Sequence, residues 1–89
     1  MTVAKRIVFS GRVQGVGFRY TTHGLAQHFA VSGYVRNLTS GDVELVAEGD
    51  GDEVDRFLTA VEQQMDRYIT SKTVDPQTPG NYQGFTIRA

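Results

Sequence analysis

The chain has 89 residues, 39% of them apolar and 21% charged, which is the composition of an ordinary globular protein and leaves room for one domain, spanning residues 1–89, but not two. It has no cysteine, so a disulfide framework, a thiolate metal site and a cysteine nucleophile are excluded. Nine basic side chains against ten acidic ones give a formal charge of -1, too little for a general attraction to nucleic acid or an anionic membrane, so any anion site must be local.

The N-terminal stretch Met1–Arg6 runs into only a short apolar patch before Ser10 and Gly11, too little for a signal-peptide core. No run approaches the roughly 20 apolar residues of a membrane span. A cytoplasmic protein is therefore expected, and the Asn37-Leu38-Thr39 sequon is expected to stay idle. From Lys5 to Val13, Ile7, Phe9, Gly11 and Val13 alternate with Arg6, Val8, Ser10 and Arg12, the period of a strand. Gln14-Gly15-Val16-Gly17-Phe18-Arg19 follows, with two glycines that permit a tight loop.

Thr22, Leu25, Ala26 and Phe29 recur at helical spacing, with Thr21 or Thr22 available as a cap and Gly33 as the terminator. Tyr34–Asn37 and Val43–Glu48 read as paired antiparallel strands around the polar loop Leu38–Asp42. Val54, Phe57, Leu58, Val61 and Met65 mark a second helix, with Asp52, Glu53 and Asp55 at its N-terminal end. Tyr68–Val74 is β-prone, Asp75–Asn81 is a turn region, and Phe85–Arg88 alternates as a short last strand. The order βαββαβ predicts an α+β sandwich in which two helices cover one face of a mostly antiparallel sheet.

The loop from Gln14 to Arg19 joins a strand to a helix start, where unpaired N–H groups and the helix dipole favour an anion. Glycine-permitted turns let successive N–H groups converge, and Arg19 adds a planar fork of donors suited to phosphate oxygens. The loop lacks the third glycine of a dinucleotide fingerprint and the Gly-Lys-Ser/Thr of a nucleotide P-loop. By spacing alone, a plain strand-to-helix turn is the commoner meaning of such glycines. His23 and His28 are five apart and read as solvated surface residues rather than metal ligands. Glu48, Asp50, Asp52, Glu53 and Asp55 lack calcium-loop spacing and read as helix capping. Tyr20, Tyr34, Tyr68, Tyr82 and Phe18 lack both the aromatic pattern and the basic surface of an RNA-binding sheet.

Gly11-Arg12-Val13-Gln14-Gly15-Val16-Gly17-Phe18-Arg19 resembles the first signature of the acylphosphatases, and Gly33-Tyr34-Val35-Arg36-Asn37, with Gly41, Val43 and Gly49, resembles the second. The resemblance covers about residues 5 to 58 well, and Phe85-Thr86-Ile87 is similar to the family's closing strand. The Gly-Pro pair that family members often carry after the second helix is replaced by Gln63-Gln64-Met65-Asp66-Arg67-Tyr68. The resemblance implies a ferredoxin-like fold with an extra short strand. It also implies Arg19 and Asn37 as catalytic residues and Gln14, Gly15, Val16, Gly17, Phe18 and Arg19 as the phosphate-binding loop, with no metal and no cofactor. The implied substrate is a small acyl phosphate and the product inorganic phosphate, with a monomer acting independently of nucleic acid or membrane. A non-catalytic module binding an acyl or carbamoyl phosphate is the rival expectation, because similar domains occur within hydrogenase-maturation proteins.

Overall fold

A computed structural model describes residues 1–89. Its elements are β1 (Thr2–Gly11), α1 (Phe18–Ala26), β2 (Val31–Asn37), β3 (Val43–Asp50), α2 (Gly51–Gln64), a 3-10 turn (Asp66–Tyr68), β4 (Ile69–Gln77) and β5 (Phe85–Arg88). The strands form one sheet in the order β4-β1-β3-β2-β5. Pairing is antiparallel except for β2 with β5, which run parallel. The first four strands and two helices make the ferredoxin-like arrangement, and β5 is the extra short strand.

Alternation along the central strands decides where the core lies. Ile7 and Phe9 of β1, Val35 of β2 and Val43, Leu45 and Ala47 of β3 face the helices. There they meet Ala26 of α1 and Val54, Phe57, Leu58 and Val61 of α2, each large side chain contributing about 1.5–3 kcal/mol by leaving water. Phe57 sits between Phe29 and Phe85, with ring centroids 5.7 Å and 5.4 Å away. Lys5, on the same face of β1, reaches Asp55 of α2 at 2.7 Å.

The opposite face is not left to solvent. Glu44, Val46 and Glu48 of β3 are all buried there, with Glu44 only 2% exposed. Glu44 accepts from Arg6 of β1 and from Arg36 of β2, at 2.5 Å and 2.6 Å. The chain between β4 and β5 must pass from one edge of the sheet to the other, and it crosses this face. Gly80 donates its N–H to Glu48, and Tyr82 packs edge-on against Tyr34 at 5.7 Å. The Arg88 guanidinium covers the Tyr34 ring at 3.9 Å, a cation–π contact.

Several local expectations are corrected. Gly33 does not end α1, which stops at Ala26. It lies inside β2 at φ 138°, where a Cβ would fall 1.9 Å from the Val46 carbonyl oxygen. Thr21 and Thr22 do not cap α1, because the helix starts earlier, after Gly17. Thr22 is fully buried in its second turn, and its hydroxyl has no partner. β1 ends at Gly11 rather than Val13, with a register shift between Ser10 and Gly11. β4 begins at Ile69 and continues to Gln77, through part of the expected turn. Pro76 is tolerated there because β4 is an edge strand. The segment in place of the Gly-Pro pair closes α2 and turns through Asp66–Tyr68. His23 is not purely solvated, since its ring lies 6.5 Å from that of Phe85. Of the acidic cluster, Glu48 is buried against Gly80 instead of capping a helix, whereas Asp52 and Glu53 do occupy the first turn of α2.

Candidate active site

The loop between β1 and α1 takes its shape from two glycines. Gly15 and Gly17 both adopt left-handed φ, 77° and 78°, while the residues beside them keep negative φ. Alternation of this kind is what lets successive N–H groups converge in an anion-binding nest. Nothing lies within 4 Å of where a Cβ would be at either glycine, so backbone conformation rather than space requires them. Gly17 precedes α1 without a side-chain cap, and the first turn of α1 contains no acidic residue. The first-turn N–H groups of α1 therefore stay available to an external acceptor.

Arg19 sits in that first turn, and no carboxylate pairs with it. Its guanidinium makes one long hydrogen bond, 3.4 Å, to the Arg88 carbonyl at the end of β5, and most of its donors stay free. Asn37 is the last residue of β2, paired with Val43 across the start of the β2–β3 loop. Its register puts it on the helix side of the sheet, with Val35 and Val43, and no hydrogen bond within the chain engages its amide.

Gly15, Gly17, Phe18, Arg19 and Asn37 come together around one cavity of about 200 Å³, joined by Val13 and Tyr20. Neither Gln14 nor Val16 lines it. The Gln14 side chain turns away and donates to the carbonyls of Leu38 and Asp42, at 2.8 Å and 2.9 Å. It thus ties the glycine loop to the hairpin loop that begins beside Asn37. Val16 faces a separate recess with Thr21, Gln64, Met65, Arg67 and Tyr68. Sequence reasoning missed the Gln14 brace and the Arg88 carbonyl, which depend on contacts between distant parts of the chain, and Tyr20, whose place on the wall follows from the first turn of α1.

No carboxylate or imidazole lines the cavity. Its chemistry is that of donors and one unneutralised cation, suited to a tetrahedral oxyanion and offering no strong proton donor. Nearby, on the reverse face of the sheet, burial alone would raise the Glu44 carboxyl. Hydrogen bonds from Arg6, Arg36 and Tyr34 outweigh that and hold it below its ordinary value. Burial, then the charge of Glu44, raises the Tyr34 phenol, while the hydrogen bond to Glu44 raises the Arg36 guanidinium. The Arg36–Glu44 pair links β2 to β3 at the residue before Asn37.

Fold and cavity together define a small ferredoxin-like protein with a donor-rich cavity, free of carboxylate and imidazole, where β1 leads into α1. Residues 5–87 match the model of the acylphosphatase family. A Thermotoga maritima acylphosphatase is 42% identical over 86 residues, with 96% of each chain covered. The crystal structure of acylphosphatase from Bacillus subtilis superimposes with a TM-score of 0.87 at 32% identity, covering 100% of both chains. Full-length HypF, in a phosphate- and nucleotide-bound form, matches with a TM-score of 0.88 at 28% identity, but over only 12% of its own chain. The chain belongs to the acylphosphatase family.

Proposed function

We propose that this chain hydrolyses acyl phosphates, R–CO–O–PO₃²⁻, to a carboxylate and inorganic phosphate, by direct attack of water at phosphorus without a metal. The observation that carries the reading is the meeting of Gly15, Gly17, Arg19 and Asn37 around a cavity free of carboxylate and imidazole. In this proposal the loop Gln14 to Arg19 binds the phosphate. Its N–H groups and Arg19 stabilise charge on the equatorial oxygens, the main demand of phosphoryl transfer.

Asn37 cannot deprotonate water, but its amide carries a donor and an acceptor with which to hold a water in line with the scissile bond. The water oxygen bonds to phosphorus as the bond from phosphorus to the acyl oxygen breaks. The electron pair of that bond leaves with the carboxylate, and the proton of the water passes to a phosphate oxygen. A carboxylate, whose parent acid has a pKa of about 4, departs without a proton donor. An alkoxide would need a general acid, and no carboxylic acid or imidazolium lines this cavity to serve as one. Acyl phosphates are thereby favoured over simple phosphomonoesters.

We take residues 1–89 as one domain, acting as a cytoplasmic monomer on a small molecule, and the near-neutral charge supports independence from nucleic acid. No helix is long and apolar enough to cross a membrane. The accessory-module reading is outweighed by the 42% identical acylphosphatase, which this chain matches over 96% of its length. Incubation with benzoyl phosphate in the presence of a chelator tests the proposal. Hydrolysis above background that survives chelation is expected. No hydrolysis would overturn the enzyme, and loss with chelator alone would overturn the metal-free route.

A further inference from the structure

Among the seven residues that line the cavity, Val13 and Phe18 are buried and Arg19 and Asn37 are half-buried, whereas Gly15, Gly17 and Tyr20 are exposed. The two glycines present no side chain. Tyr20 is therefore the one exposed side chain on the rim, and it is 81% exposed. Its ring stacks on no other aromatic ring, takes no cation and makes no hydrogen bond within the chain, unlike Tyr34, Tyr68 and Tyr82. Folding gives no account of so large an apolar surface held at the mouth of the site.

The geometry of the proposed reaction adds a direction. If water attacks from the Asn37 side, the leaving carboxylate departs from the opposite side of the phosphorus atom. The acyl group is then carried away from the neighbouring groove of Arg36, Leu38, Thr39, Ser40 and Ala89, which also borders Asn37. The cavity of about 200 Å³ opens to solvent at its rim, and an acyl group that leaves away from Asn37 reaches that rim. The one exposed side chain on that rim is Tyr20.

We infer that Tyr20 is the acyl-side specificity residue of this site, and that it favours acyl phosphates with a flat or extended apolar acyl group over acetyl phosphate. This inference rests on the acyl-phosphate reading given above. A phenol ring offers an apolar face for an aryl or alkyl group and a polar edge for water, at little conformational cost. The effect falls within the range of such aromatic contacts, about 3- to 10-fold in relative kcat/KM.

The test compares benzoyl phosphate with acetyl phosphate in the intact protein and in Tyr20→Ala and Tyr20→Phe. In Tyr20→Ala the ratio of kcat/KM for benzoyl over acetyl phosphate should fall about 3- to 10-fold, mainly through KM for benzoyl phosphate. Tyr20→Phe should keep the ratio of the unmodified protein, because the ring and not the hydroxyl carries the contact. An unchanged ratio in Tyr20→Ala would overturn the inference. So would an equal fall for both substrates accompanied by weaker inhibition by inorganic phosphate, which would place the effect in the cradle. If the unmodified protein hydrolyses neither substrate, the acyl-phosphate reading itself fails and this inference with it.

Discussion

Arg19 and Arg88 meet through main chain and side chain rather than through their charges. The Arg19 guanidinium donates to the Arg88 carbonyl at 3.4 Å, while the Arg88 guanidinium lies over the Tyr34 ring at 3.9 Å, on the reverse face of the sheet. The neutral carbonyl steadies Arg19 without cancelling its charge, as a carboxylate would. A lysine at this position keeps the charge but loses the planar fork that can face a phosphate and the carbonyl together. Arg19→Lys should lower kcat/KM for benzoyl phosphate by about 10² or more and weaken inhibition by inorganic phosphate. Near-normal hydrolysis by this variant would remove Arg19 from the site.

Asn37 stands at the end of β2 with its amide unengaged, and its proposed task is to orient water rather than to grip phosphate. Asn37→Ala should therefore cut kcat by roughly 10² while phosphate inhibition changes little. Steady-state kinetics with phosphate as competitor separates the two effects. Equal losses in both would point to a binding role.

Gly17 has φ 78° and open space where a Cβ would stand, so a methyl group acts only through the backbone. Gly17→Ala should cost about 1–2 kcal/mol of stability if the left-handed turn persists. If the turn relaxes instead, the N–H groups lose their convergence and phosphate inhibition weakens. Denaturant melts read beside phosphate inhibition register either result, and a variant unchanged in both would show that the turn is not required.

Glu44 couples the reverse face to pH. Its folded pKa lies below the ordinary 4.5, so its contribution to stability is complete above pH 4.5 and is lost as the pH falls toward the folded value. Glu44→Gln should be less stable than the unmodified protein by about 2 kcal/mol at pH 7, and the gap should close on acidification below pH 4.5. Urea unfolding at several pH values gives the comparison. A gap of constant size down to pH 3 would mean that the carboxylate charge is not the source.

The parts of the molecule that were legible in sequence are those whose signal is local. The alternation of Ile7 and Phe9, the helical spacing of Val54, Phe57, Leu58 and Val61, and the paired glycines before Arg19 each declare a backbone conformation within a few residues. Gly33 was misread because its glycine character answers to Val46, a neighbour across the sheet and not along the chain. Pro76 signalled a turn, but only the strand order shows that β4 is an edge that can accept it. Glu44 and Glu48 alternate with apolar residues as solvent-facing positions would. They are buried because the segment after β4 crosses over them and because Arg6 and Arg36 converge on Glu44. Within the site, Arg19 and Asn37 were reached through motif resemblance. The Gln14 brace and the Arg88 carbonyl bond follow from contacts 24 to 69 residues apart in sequence, which no short window contains.

The parallel pairing of β2 with β5 joins Gly33 to Phe85 and ends beside the carbonyl that meets Arg19. One wall of the site therefore leans on the C-terminal strand, which is joined to β2 across 52 residues of chain. A chain without β5 would keep its hairpin and both helices but lose the carbonyl that meets the Arg19 guanidinium.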